Sequence, residues 1–365
     1  MAADQTSDSN DSRCHLLELS HDELGVIFDG LADPLQPIVA VVFSSTCKGL
    51  RTPLQVALEV LAEWYASVLV LCRKVGEIYQ DDYTETAQLT CALLRDEEEL
   101  ILNNRCLTAS NMATLGVVFR TNGLPRLRQL QLFNNDFCDG GVHALCDGLG
   151  PGSLPSLMVL DLDNCNIGPA GAEDLAAALR RGGLPELAEL HLCENKRLGD
   201  QGAAALAAPL RKRSSLDRLV MCDCGITDKG VSSLFANLGK DDFKALNKVW
   251  LDHNPLTDKS WATLLDAIRG GALPRLDNAY LDCEHVSREA EHAFEEGMSL
   301  RTQEWLRKAR GDDWEEGGVL LNVWTVPWRP CSSQPKKQGL NVNAVAATPS
   351  WWSPPVPCTN RMIST

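Results

Sequence analysis

The chain has 365 residues and a formal net charge of −15, with 44% hydrophobic and 23% charged residues. That apolar share supports a sizeable core and excludes disorder throughout. The acidic surplus argues against nucleic acid, whose phosphates require an excess of Lys and Arg.

Residues 1–15 read as a disordered N-terminus, and MAADQTSDSNDS has neither a basic n-region nor an apolar h-region, so no secretory signal is expected. In 16–50, Leu24, Ile27, Phe28 and Leu31 share one helical face, Asp33-Pro34 ends the helix, and a second apolar run closes on Cys47-Lys48-Gly49-Leu50. The order D-E-L-x-x-I-F-x-x-L followed by Ser, Cys, Lys and Leu resembles an F-box, with Ser20-His21 standing where that family usually has proline. The resemblance implies that Leu24, Ile27, Phe28 and Leu31 face the Skp-type adaptor of a cullin ubiquitin ligase. The other reading of the segment is a helical cap that seals the start of the central part of the chain. Residues 51–96 form a linking and capping segment, in which Leu54, Leu58, Leu61, Tyr65, Val68 and Leu69 predict a helix over 54–78. Glu59 and Glu63 interrupt its apolar run, so no membrane partner is expected.

A repeat organises residues 97–285. LRQLQLFNN begins at Leu127 and places Leu127, Leu130, Leu132 and Asn135 in the pattern L-x-x-L-x-L-x-x-N. Copies begin at Leu157, Leu187, Leu216, Leu246 and Leu276, spaced by 30, 30, 29 and then 30 and 30 residues, with a degenerate opener at Glu97. The first half of each unit alternates with period two, as a strand does. The second half carries apolar residues at i, i+3 and i+7, as in Val142, Leu145 and Leu149, which is one helical face. Asp139, Asp200, Asp228 and Asp258 stand just ahead of these helices as N-caps. The Asn or Cys in ninth position should turn inward and satisfy backbone groups at the strand-to-turn corner.

These six in-phase copies resemble the ribonuclease-inhibitor-like class of leucine-rich repeats. The fold expected is α/β: a horseshoe solenoid with parallel strands on the concave face, helices on the convex face and a helical N-terminal cap. Strands about 4.8 Å apart and helices about 10 Å wide force the array to bend. After it, 286–310 predict a capping helix. The tail 311–365 holds seven of eighteen prolines and five of nine tryptophans, a composition that reads as mostly disordered.

No G-x-S-x-G, G-x-x-x-x-G-K-[ST] or H-E-x-x-H motif occurs, so no catalytic residue or cofactor is expected. His191, His253 and His285 lie in different units without ligand spacing, so no metal is expected either. The fourteen cysteines include no C-x-x-C pair and read as free thiols of a soluble protein in the cytoplasm or nucleus. The residues between the leucines face the concave side. Gln131, Asp161, His191, Val220, Trp250 and Tyr280 form one column, and Phe133, Asp163, Cys193, Cys222, Asp252 and Asp282 form the next. They make an acidic, aromatic-tipped face suited to a protein partner with a basic surface. The F-box resemblance would make the platform a substrate receptor for ubiquitin ligation. The repeat class also resembles that of the Ran GTPase-activating protein, which implies a second reading as a GTPase activator.

Overall fold

Alternating leucines can bury one side of a strand only if something apolar covers it, and in each unit the helix of the same unit does so. The computed structural model describes residues 19–45, 50, 52–76, 94–121, 123–281 and 286–310, with the side chains of 21, 75, 76, 291 and 301–310 excepted. Residues 1–15, Cys47-Lys48-Gly49, Asp282, His285 and 311–365 lie outside the described residues.

Three helices come first: α1 (His21–Leu31), α2 (Ile38–Ser45) and α3 (Gln55–Gly76). Strands and helices then alternate: β1 (Glu99–Ile101), α4 (Ala109–Thr121), β2 (Gln129–Gln131), α5 (Cys138–Asp147), β3 (Val159–Asp161) and α6 (Pro169–Arg180). They continue as β4 (Glu189–His191), α7 (Gly199–Arg211), β5 (Arg218–Val220), α8 (Asp228–Phe235), β6 (Lys248–Leu251), α9 (Asp258–Arg269), β7 (Asn278–Leu281) and α10 (Arg288–Arg310). The seven strands form one parallel sheet in sequence order. The register is in phase with the repeat: Leu100, Leu130, Leu160, Leu190, Leu219, Val249 and Ala279 are paired in succession and all are buried. Each leucine or valine in this row contributes about 1.5–3 kcal/mol when fully buried. The expected strand-and-helix solenoid is therefore the observed fold.

Two helical details differ from expectation. Helix α8 stops at Phe235 instead of running to Leu238, because the Arg211 guanidinium binds the carbonyls of Ser233, Leu234 and Ala236. Phe235 then packs on Phe243, with ring centroids 5.6 Å apart, and both are buried. The four aspartates are not the N-caps of their own helices. They sit in the first turn and cap the helix of the following unit. Asp139 accepts from the Gly168 and Gly171 N–H groups at 2.6 and 3.0 Å. Asp200 does the same for Thr227 and Gly230, Asp228 for Thr257, and Asp258 for Ser287. Thr227 and Thr257 cap their own helices by accepting from Lys229 and Lys259.

The ends are joined to helices. Leu24, Phe28, Ala32, Ala40, Leu50, Leu54 and Leu61 make a separate core among α1, α2 and the start of α3. Ser20 closes a capping box with Glu23 at the start of α1, a role that proline could not fill because the Ser20 N–H donates to Glu23 Oε2 at 2.8 Å. Helix α3 packs on α4, and Lys74 Nζ donates to the Cys106 carbonyl at 2.8 Å. By length and composition α3 is apolar enough to cross a membrane, but it buries one face, through Leu61, Val68 and Leu71, within this assembly. At the other end Phe294 of α10 meets Trp261 edge-on at 4.7 Å.

The ninth position behaves as expected. Asn195 is fully buried: its Oδ1 accepts from Cys165 and Ile167 N–H at 3.1 and 2.9 Å, and its Nδ2 donates to the Leu162 and Leu192 carbonyls, both at 2.9 Å. Asn135 and Asn254 repeat this arrangement. Cys165 and Cys224 alternate with them and offer a single sulfur each: Cys165 Sγ donates to the Leu132 carbonyl at 3.2 Å and accepts from the Asn135 N–H, and Cys224 Sγ donates to the Leu192 carbonyl at 2.9 Å and accepts from the Asn195 N–H. Position eight is left-handed in every unit described, with φ of 57° at Asn104 and Asn134, 49° at Asn164, 59° at Glu194, 51° at Asp223 and 58° at His253. Asn195→Ala strips four backbone groups of their partners and should cost on the order of 3 kcal/mol or more in urea unfolding, whereas Cys165→Ala, which loses only the weak bonds of a sulfur, should cost about 1 kcal/mol. Equal losses would mean that the amide ladder is not what holds the corners.

Candidate partner-binding face

The side of the sheet away from the helices carries the residues between the leucines. Gln131, Asp161, His191 and Trp250 are half-buried and Tyr280 is 43% exposed. Phe133, Asp163 and Asp252 stand half-buried in the neighbouring column, and Asp282 lies outside the described residues. The register brings Gln131 beside Asp161, Asp161 beside His191, and Trp250 beside Tyr280. Val220 interrupts the first column because it is buried, 2% exposed, so the aromatic pair and the acidic group are two separate regions.

Trp250 and Tyr280 meet edge to face, with centroids 5.5 Å apart and planes at 84°. The Trp250 indole N–H is buried without an acceptor among the described residues. In the other region Asp161 Oδ1 accepts from the Asp163 N–H at 3.0 Å, and Asp163 Oδ1 accepts from the Cys193 N–H at 2.5 Å. Burial and the neighbouring Asp161 carboxylate push the Asp163 carboxyl up to about 7. Burial raises Asp161 as well, against the pull of the Asp163 N–H and His191. Burial works against a charged His191, but its hydrogen bond to Glu189, at 3.3 Å, and the carboxylates of Asp163 and Asp161 outweigh it, so its value is raised.

A third column lies two residues before the first and was not singled out from the sequence: Glu99, Gln129, Val159, Glu189, Arg218, Lys248 and Asn278. Its signal was there in the same period-two parity. Arg218 binds Glu189 Oε2 at 2.7 Å, and the hydrogen bond from His191, with Arg218 and Lys248 nearby, holds Glu189 below the usual carboxylate value despite burial. Arg218 and Lys248 stand within the face. It is acidic around Asp161 and Asp163 and mixed in charge toward the aromatic pair.

The F-box-type contact residues divide. Leu24 and Phe28 are buried in the helical core, 5% and 1% exposed, because the α1 face that carries them packs on α2 and α3; Ile27 and Leu31 are half-buried. The exposed aliphatic side chains are instead Val26, Ile38, Val39, Val41 and Val42. The aliphatic face expected to meet an adaptor is thus mostly the interior of the segment.

A family model described as a leucine-rich repeat matches residues 153–176, which span β3 and most of α6. Among solved structures, the chain is similar to one titled "Structural Genomics of Caenorhabditis elegans: tropomodulin C-terminal domain", at 16% identity and a TM-score of 0.29, over 38% of this chain and 99% of that one.

Asp163 and His191 both hold their protons more tightly when folded, so the unfolded chain binds fewer protons and stability must fall as pH rises. The contribution of Asp163 is fully present below about pH 4 and is lost as pH passes about 7, and that of His191 is fully present below its ordinary value and is lost above it. The opposite effect of Glu189 belongs to more acidic pH, since its folded value is lowered. Melting temperature should therefore decrease between about pH 5 and about pH 8. Asp163→Asn keeps an oxygen for the Cys193 N–H and should flatten that slope; an unchanged slope would remove Asp163 as its source.

Proposed function

We propose that this chain, which carries leucine-rich repeats in a parallel solenoid, is a platform for protein–protein interaction and captures a protein segment with basic side chains on its concave strand face. The observation that supports the reading most is the composition of that face. One continuous sheet surface carries Asp161, Asp163, Trp250, Asp252 and Tyr280, none of them covered by a second layer among the described residues. Trp250 and Tyr280 give a rigid apolar anchor of the type that dominates interface energetics. Partly desolvated carboxylates favour a cationic partner because pairing lowers the cost of keeping them charged.

In this reading the chain positions a partner and needs no bond-making group of its own. The finer version, a substrate receptor of a cullin ubiquitin ligase, rests on the α1–α2 segment. With Leu24 and Phe28 occupied in the core, an adaptor would meet the exposed side chains of α2, Ile38, Val39, Val41 and Val42. The alternative as a GTPase activator has only the repeat class behind it. Arg105, the one arginine at a corner position, has its N–H bonded to Asn135 at 3.0 Å as part of the ladder.

Affinity capture with the wild type beside a Trp250→Ala, Tyr280→Ala, Asp252→Lys variant tests the platform. A prey lost by the variant but kept by a variant altered on the helical side places recognition on the strand face. An identical prey set from both would remove the proposal. A direct binding measurement with a Skp-type adaptor tests the finer version separately, and no binding by the full chain would end it while leaving the platform intact.

A further inference from the structure

We propose that Cys193 and Cys222 form a reversible disulfide between neighbouring repeats when the chain meets a small-molecule disulfide such as oxidised glutathione. This site is independent of any partner. The ladder between β4 and β5 continues past the strands through Leu192 N–H to the Val220 carbonyl at 2.9 Å and Glu194 N–H to the Cys222 carbonyl at 2.8 Å. Cys193 and Cys222 are therefore register partners, two residues beyond the His191–Val220 pair. Both are half-buried on the strand face. The Cys222 N–H donates to Cys193 Sγ at 3.2 Å, so the Cys193 sulfur is already turned toward the second cysteine. Cys224, two residues on, is buried and donates to the Leu192 carbonyl, in the core.

Neighbouring parallel strands lie about 4.8 Å apart, inside the range of about 4.4–6.8 Å between Cα atoms that a disulfide tolerates but toward its tight end. A bond formed at the tight end is strained and readily reduced, which is the property of a switch and not of a permanent staple. Closing it requires Cys222 to turn its sulfur away from Asp252 Oδ1, which it now contacts at 2.9 Å. Oxidation would thus release the Asp252 carboxylate beside Trp250.

The surroundings set the order of events. Contact with the Cys193 thiol, then burial, then the Asp252 carboxylate push the Cys222 thiol far above its usual value and keep it protonated. Cys222 Sγ donates its proton to Asp252 Oδ1, whereas Cys193 Sγ accepts from the Cys222 N–H, so Cys193 attacks first: it loses its proton to solvent and breaks the glutathione disulfide to give a mixed disulfide and one glutathione thiolate. Cys222 then loses its proton to solvent and attacks the Cys193 sulfur, expelling the second glutathione thiolate. Two protein S–H bonds and one glutathione S–S bond are exchanged for one protein S–S bond and two glutathione S–H bonds. The protein is oxidised by two electrons and glutathione is reduced.

The test uses the full chain, equilibrated with graded ratios of oxidised to reduced glutathione, quenched by alkylation and digested without reduction. Mass spectrometry should find a peptide pair linked through Cys193 and Cys222, its share rising with the ratio. The pair should disappear on treatment with dithiothreitol and be absent from a Cys222→Ser variant. Both cysteines alkylated at every ratio would overturn the proposal. So would Cys193 recovered only as its glutathione adduct, or a link from Cys193 to Cys224. The wild-type map decides the matter even if the variant fails to fold.

Discussion

Three corners of this solenoid have backbone groups that their own unit cannot satisfy, and a buried amide in the next unit, Asn135, Asn195 or Asn254, satisfies them. Asn195 accepts from Cys165 and Ile167 and donates to Leu162, all these groups belonging to the preceding repeat or its turn. A corner buried without that amide would carry unpaired donors at about 1–3 kcal/mol each. No unit is therefore complete until its successor has docked, and stability is shared between neighbours instead of being summed from independent pieces. The alternation Asn135, Cys165, Asn195, Cys224, Asn254 gives alternate corners a full set of amide hydrogen bonds and the others only the weaker bonds of a sulfur. The array is therefore held most firmly at every second interface.

The helices repeat the logic on the other side of the sheet. Asp139, Asp200, Asp228 and Asp258 each satisfy orphan N–H groups at the start of the next helix, replacing a local cap with a contact across units. Pro169 occupies the equivalent position in the unit between Asp139 and Asp200, and it can offer no carboxylate. The following helix, α7, has no side-chain cap. The turn from Asn195 to Leu198, which holds Lys196 and Arg197 where Asn135 to Phe137 holds one residue, lies at that unsupported junction. There Lys196 reaches Asp223 at 3.0 Å and Arg197 reaches Asp139 at 3.7 Å. Surface ion pairs such as these contribute about 0–1 kcal/mol, less than a good cap.

Much of this was legible in the amino-acid order alone. The leucine spacing determined the strand order and register, because a one-residue slip would turn Leu130 or Leu160 out of the core. The inward turn of Asn135 and Cys165 came from the need to satisfy a buried corner. The aspartates were misread because sequence proximity favours a local cap, while the true recipient lies some 30 residues on. The burial of Leu24 and Phe28 was hidden for a related reason. An amphipathic helix shows that one face is apolar but not whether that face meets a partner or its own neighbours, and here α2 and the start of α3 supply the neighbours. The third column, with Glu189, Arg218 and Lys248, was readable from parity alone. Its ion pairing was not, because Arg218 and Glu189 are 29 residues apart and become adjacent only through the sheet.

The strand face is where this mutual satisfaction ends. Backbone groups are taken up by the ladder and the leucines by the helices, which leaves side chains about 4.8 Å from their lateral neighbours with no layer above them. Packing carboxylates this closely removes water from them without removing their mutual repulsion, and the raised values of Asp161 and Asp163 express that cost. Around Arg218 and Lys248 the same crowding is relieved internally, because Glu189 is paired. A cation arriving from outside would find more to gain at Asp161 and Asp163 than at Glu189. An apolar side chain would find its contact at Trp250 and Tyr280. The two ends of the face thus ask for different chemistry from one ligand, at a spacing the register sets.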